Sequence, residues 1–318
     1  MKKYLEDLRQ ELVKQKLTNK EIEEIMADHE EMIRTAMEEG LSEEEIKAKF
    51  GQPKQVAEEL ADNDQVEPDE QEDNNDLVLW KTFTVEKDQI KVNVNLISED
   101  ITYQLSDNNE IKVYYEGNGK VDKYEVSYEK NEFKLYAPKR MGFHFSFNKS
   151  DGLRFLVELP KHVVVEEFKH NTVSSDSEIK NLTVNQLTIN TTSGDLLIKN
   201  NQIDQVKLNS VSGDCEIKDS KIKEINFSQV SGDGQLTNVT ISGDFKVNTV
   251  SGDLEIQNVS CDNFEIRSVS GDVDGKEFYP NKVTLKSVSG DIDIKNKESH
   301  YIEIVKKSTI SGDINISR

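Results

Sequence analysis

Basic residues are scarce in this chain: 40 Lys and Arg stand against 61 Asp and Glu, leaving a net charge of −21 over 318 residues. Nucleic-acid binding relies on Lys and Arg neutralising phosphates, so the deficit excludes that partner class. It also disfavours docking on anionic lipid. An acidic surface suits cationic partners, or serves solubility alone. Long apolar runs are missing as well. No stretch nears the ~18 residues of a membrane span, and Met1-Lys2-Lys3-Tyr4-Leu5-Glu6 lacks the apolar segment of a secretory signal. The default expectation is therefore a cytoplasmic protein. A nucleotide-binding glycine loop, an HExxH helix, a paired-cysteine metal motif and a Ser/His/Asp order are all absent, which leaves an enzyme reading without support.

What is present is a period. Ser-Gly-Asp recurs with its Ser at 193, 212, 231, 251, 270, 289 and 311, in steps of 19, 19, 20, 19, 19 and 22 residues. The near-match Ser174-Ser175-Asp176 lies 19 residues before the first. A fixed interval of this kind marks a stacked-repeat architecture. Counted from each Ser, plus five holds Ile179, Ile198, Ile217, Leu236, Ile256, Ile294 and Ile316. Plus thirteen and plus fifteen hold pairs such as Leu187 and Ile189, Val206 and Leu208, Ile225 and Phe227, Phe264 and Ile266, and Ile302 and Ile304. Apolar residues two apart, with β-branched types dominant, describe strands with one buried face. A 19-residue coil has room for two or three short strands and no helix, and it buries its apolar side on its neighbours. The expected fold is mainly β: a parallel β-solenoid of about seven 19-residue coils, ~34 Å long at ~4.8 Å per coil. Cys215 and Cys261 fall in coils two steps apart, ~9 Å or more between Cα atoms, which is beyond disulfide reach. Buried thiols are expected.

Ser-Gly-Asp is then the corner. Gly accepts the bend, while Ser and Asp can bond to backbone groups that the turn leaves unpaired. Stacking puts Asp176, Asp195, Asp214, Asp233, Asp253, Asp272 and Asp291 in one structural turn column. Neighbouring carboxylates at that spacing repel by ~1 kcal/mol in water, so something must offset them. The candidates are backbone N–H groups, the plus-six lysines Lys180, Lys199, Lys218, Lys276 and Lys295, or calcium bridging the coils. Calcium-binding nonapeptide solenoids carry Gly and Asp far more densely, so neither metal nor cofactor is expected.

Upstream the chain changes character. Residues 1–62 hold Tyr4, Leu5, Leu8 and Leu12 at helical spacing, then capping boxes at Thr18-x-x-Glu21 and Ser42-x-x-Glu45. Gly40, Gly51 and Pro53 divide them into four short amphipathic helices, a small all-α bundle suited to docking a protein partner. His29 sits on the apolar face and reads as a packed residue. Residues 63–76 form an acidic tether that buries too little to order itself. Residues 77–171 alternate apolar and polar without a period, and are expected to be irregular hairpins covering the first coil. Within them Phe143, Phe145 and Phe147 share one strand face, core if covered and an apolar binding patch if exposed. Residues 172–318 are the repeats. An extra Ser242-Gly243-Asp244 predicts a second corner with the same turn chemistry, and Gly275 at a plus-five place, followed by Tyr279-Pro280, predicts a local bulge or outward loop.

Glu38-Glu39-Gly40, Leu41 to Ile46, Phe50-Gly51-Gln52-Pro53 and Val56 to Leu60 resemble the bacterial HAAS signalling domain. Members commonly continue into membrane helices and accompany PadR-like regulators, which implies signalling. This chain departs from that pattern, since no membrane helix follows. The remaining three quarters, with Val157-Glu158-Leu159-Pro160 and the Ser-Gly-Asp coils, resemble the bacterial candidate-adhesin β-strand-repeat family. That likeness implies an envelope-stress protein and leaves a surface or membrane-associated location as the alternative. The expected function is non-enzymatic: the helical domain docks a partner, and the acidic rod meets a cationic peptide or protein. The alternative is a scaffold that polymerises end to end through its last coil, Ile314 to Arg318.

Overall fold

The computed structural model describes residues 1–15, 22, 25, 26, 33, 52–54, 56, 57, 77–138, 152–297 and 300–317. His29, the acidic tether and the Phe143, Phe145 and Phe147 patch lie outside the described residues. The chain divides into two compact units. In the first, α1 (Lys2–Lys14) places Tyr4, Leu8 and Leu12 one turn apart on a single buried face. They cluster with Ile22, Met26, Ile33, Val56 and Ala57, all of helical backbone. No helix among the described residues is long and apolar enough to cross a membrane.

The second unit is a parallel β-solenoid of about eight turns. It opens with β1 (Val78–Thr84), β2 (Gln89–Asn95), β3 (Asp100–Ser106) and β4 (Glu110–Glu116). β5 (Glu125–Glu129), β6 (Glu132–Tyr136) and β7 (Arg154–Pro160) follow, then β8 (Val164–Ser174), β9 (Ser177–Lys180) and β10 (Thr183–Ser193). β2 and β3 already form a rung: β2 pairs in parallel with β8, and β3 with β9. Beneath it lies a further parallel layer, β6 against β2 and β7 against β3, and only beyond that layer does the direction reverse. β4 runs antiparallel to both β1 and β7, and β5 antiparallel to β6. Hairpins thus cover the end of the stack.

From β8 onward the register advances by one period per rung, as in Leu196↔Cys215, Ile198↔Ile217 and Val206↔Ile225. Each coil has three strand segments, for example Leu196–Lys199 and then Gln202–Ser210 interrupted at Asp204. The alternating inward residues merge into one core running the length of the unit, and Ile198, Ile217 and Ile256 lie within it. Cys215 and Cys261 are buried free thiols, and burial raises the Cys215 thiol to about 12.

Two expectations fail here. Gly275 makes no bulge: the strand Val273–Ser287 stays in register, with Ile256↔Gly275 and Val259↔Phe278. A Cβ on Gly275 would stand 3.1 Å from the Phe278 ring, so the missing side chain is the space into which a buried phenylalanine packs. Ile304 keeps its pairing with Val283, but it is 52 % exposed, because its strand Glu303–Ser308 is paired on one side only among the described residues.

Candidate binding surface

The corners stack through side chains as well as strands. The carboxylate Oδ1 of Asp176 accepts the N–H of Asp195 at 2.7 Å. Asp195 accepts from Asp214 and Asp214 from Asp233, both at 2.8 Å, and Asp233 from Asp253 at 3.0 Å. Asp253 accepts from Asp272 and Asp272 from Asp291, both at 2.8 Å. The column runs further than the Ser-Gly-Asp phrase: Asp100 accepts the N–H of Asp176, and Asp291 accepts that of Asp313. A charge-assisted bond of this kind is worth roughly 1.5–3 kcal/mol, enough to offset the repulsion between neighbours. The lysines do something else. Lys180, Lys218, Lys276 and Lys295 pair with Glu178, Glu216, Asp274 and Asp293, two residues back on their own strands. The second corner at Ser242-Gly243-Asp244 also differs, because Asp244 accepts from the Asn263 amide and Lys246 rather than from a backbone N–H above. Those two partners hold its carboxyl below the ordinary value. Among the described residues, no three His, Cys, Asp or Glu side chains converge as a metal site would require.

The outcome is a groove of about 580 Å³ beside the corner, walled by Asp176, Asp195, Asp214, Asp233 and Asp253. Glu178, Glu216 and Glu255 form its other wall. On the opposite side of the corner lies a second groove, of about 460 Å³, lined by Asn190, Asn209 and Asn248 together with Val211, Val230 and Val250. Asn190 donates its amide to Asn171, and Asn209 donates to Asn190, forming an amide ladder.

A family model for Toastrack DUF4097 matches residues 88–317. The chain belongs to the Toastrack DUF4097 family. A second model, HAAS, matches residues 3–59. Solved structures similar to the chain include a candidate lipid-binding protein from Parabacteroides distasonis, 19 % identical, covering 74 % of this chain and 95 % of its own, with a TM-score of 0.47. A candidate adhesin from Bacteroides fragilis is 17 % identical over 77 % of this chain and 99 % of its own, with a TM-score of 0.46. Another from Parabacteroides merdae is 14 % identical over 76 % and 98 %, also with a TM-score of 0.46. No curated protein matches the chain. The HAAS match beside the Toastrack match suggests a signalling or binding protein, and neither match is to an enzyme family.

Three features had no place in the sequence reading. The residue before the Ser is an exposed valine in six rungs, Val173, Val211, Val230, Val250, Val269 and Val288. Asn181, Asn200, Asn238 and Asn258 form another corner in the left-handed region, with φ between +52° and +64°. Its signal was available as the repeated asparagine after the plus-six place, a residue that tolerates that backbone. The third feature is a buried chain: the Tyr103 hydroxyl lies 3.1 Å from His170 Nδ1, and His170 Nε2 lies 2.8 Å from Ser177 Oγ.

Proposed function

We propose that this protein is a non-enzymatic binding component of the bacterial cell-envelope stress response. Its HAAS domain docks a protein partner, and its acidic solenoid presents a surface to a cationic peptide or protein. The observation that carries this reading is the acidic groove, where five column aspartates and three glutamates face one open space. Each column carboxylate spends one oxygen on a backbone N–H, which leaves the other for a ligand. The test is retention of a cationic peptide by the full chain at ~0.15 M salt, where general charge attraction is largely screened. Retention that falls on E216Q/E255Q substitution supports the reading, and loss at that salt in the unmutated protein overturns it.

A second reading, end-to-end self-association, draws on the last rung. Glu303–Ser308 and Ile314–Ser317 have a strand neighbour on one side only among the described residues, and Tyr301, Ile304 and Val305 are exposed there. Filaments that grow with concentration and vanish on removal of residues 314–318 would favour it. A chain that stays monomeric when concentrated would set it aside.

A further inference from the structure

Stacking accounts for three of the four residues in Val-Ser-Gly-Asp. Gly permits close approach: a Cβ on Gly213 would sit 2.3 Å from the Gly194 carbonyl oxygen. Ser ties its hydroxyl to the rung below, as Ser231 does to the Val211 carbonyl. Asp accepts the N–H of the rung above. The valine side chain serves none of these purposes. Val173, Val211, Val230, Val250, Val269 and Val288 are each 41–48 % exposed. Thr192 occupies the same column, so the stack does not require an apolar side chain there. Thr192 separates Val173 from the rest, so at ~4.8 Å per rung the unbroken ridge runs the four steps from Val211 to Val288, ~19 Å. Continuous exposed apolar surface of that extent marks an interaction site.

Charge decides what covers it. The acidic groove runs parallel to the ridge, three residues further along each corner. A second copy would bring its own aspartate column and a net charge of −21 against the first. Anionic lipid meets the same repulsion. The complement of an apolar ridge beside a row of carboxylates is a chain with apolar side chains on one side and Lys or Arg on the other.

We propose that the valine ridge is the apolar half of the binding surface and that its partner is a cationic amphipathic polypeptide segment. Its apolar side chains seat on Val211, Val230 and Val250, and its basic side chains reach Asp214, Asp233 and Asp253. The inference rests on the acidic-surface reading above and adds amphipathicity as a requirement. A helix advances ~5.4 Å per turn, close to one turn per rung, and about 13 helical residues would span the ridge.

The experiment uses the full chain and two labelled peptides of about 13 residues with identical Leu and Lys composition. One is ordered as an amphipathic helix and the other is scrambled so that neither face is apolar. Anisotropy titrations at ~0.15 M salt compare the unmutated chain with V211T/V230T/V250T, and melting curves report the fold of each. The expected result is a preference for the amphipathic peptide of about tenfold or more, lost in the triple variant at unchanged melting temperature, with the single variant V230T losing part of it. Equal binding of both peptides, or a preference that survives in a folded triple variant, overturns the ridge and leaves the acidic-surface reading standing. Absence of binding by either peptide to the unmutated chain overturns both.

Discussion

Acidification should weaken this fold through one buried histidine, and the size of the effect follows from its surroundings. His170 lies on β8 between Val94 of β2 and Ile189 of β10, and it is wholly buried. Among the described residues Tyr103 and Ser177 are its side-chain hydrogen-bond partners, and Phe168 meets it edge-on. In the neutral ring one nitrogen accepts and the other donates, so the chain of three groups is satisfied. In the protonated ring both nitrogens donate, and one hydroxyl is left with a proton and no acceptor. Burial accordingly lowers the pKa from 6.5 to about 4 and raises that of Tyr103. The unfolded chain takes up the proton as pH falls through ~6.5, while the folded chain waits until about 4. Stability is therefore lost across that window and levels off below it. The full gap corresponds to about 3 kcal/mol, of which about 2 kcal/mol is gone by pH ~5. Urea unfolding at a series of pH values, for the unmutated chain and His170→Gln, isolates this group because the carboxylates are common to both. The two stability curves should converge as pH falls from ~7.5 to ~4.5. Parallel curves would refute the reasoning.

Asp214→Asn keeps an acceptor for the Asp233 N–H and removes repulsion from two neighbours. It also turns the charge-assisted bond into a neutral one, so the two effects largely cancel and the net change should stay within about 1 kcal/mol in dilute buffer, as read from urea midpoints. Asp214→Ala loses the acceptor altogether and should fall about 0.5–1.5 kcal/mol below the Asn variant. Millimolar calcium should leave the melting temperature unchanged, whereas a site filled at one hundred times its Kd would add about 2.7 kcal/mol. Gly271→Ala places a Cβ 2.0 Å from the Gly252 carbonyl oxygen and should cost at least about 3 kcal/mol, while Gly243→Ala, with its nearest atom at 3.0 Å, should cost under about 1 kcal/mol.

The repeats were legible because the strand period and the rung period reinforce each other: every plus-five Ile or Leu from Ile179 to Ile294, Gly275 apart, lands in the same layer of the core. Gly275 misled because the glycine rule for strands is local, whereas the side chain that needed the space, Phe278, follows it round the next corner. The rung made by β2 and β3 went unseen because its corner reads Ser98-Glu99-Asp100. There Glu99 holds the glycine place by turning its carboxylate onto the N–H groups of Ile97 and Ser98 and the Tyr124 hydroxyl. The valine ridge was in plain view in the sequence. An apolar residue beside a turn carries no sign of exposure until the direction of its side chain is known, and direction belongs to the stacked coil rather than to the repeat.

The glycine of the corner has two separate reasons to be there, and the stack passes from both to one part-way along. At Gly194, Gly213 and Gly232 φ lies between +96° and +103°, as in a turn whose third residue demands glycine. Beyond them Gly252, Gly271 and Gly290 have no such φ, and a turn of that kind accepts most residues. The change coincides with a switch in the buried hydroxyl two places before the Ser. Thr191 and Ser210 donate to the carbonyls of Ser193 and Ser212, whereas Thr249, Ser268 and Ser287 donate to those of Gly252, Gly271 and Gly290. Rotation of the Ser-Gly peptide plane accounts for both observations. Gln229 stands at the crossover, where its longer side chain reaches down to the Gly213 carbonyl. Glycine nonetheless persists through the second set, because the oxygen of the glycine below lies within 2.1 Å of where a Cβ would be. Close stacking therefore holds glycine in the corner even where the turn itself has ceased to need it.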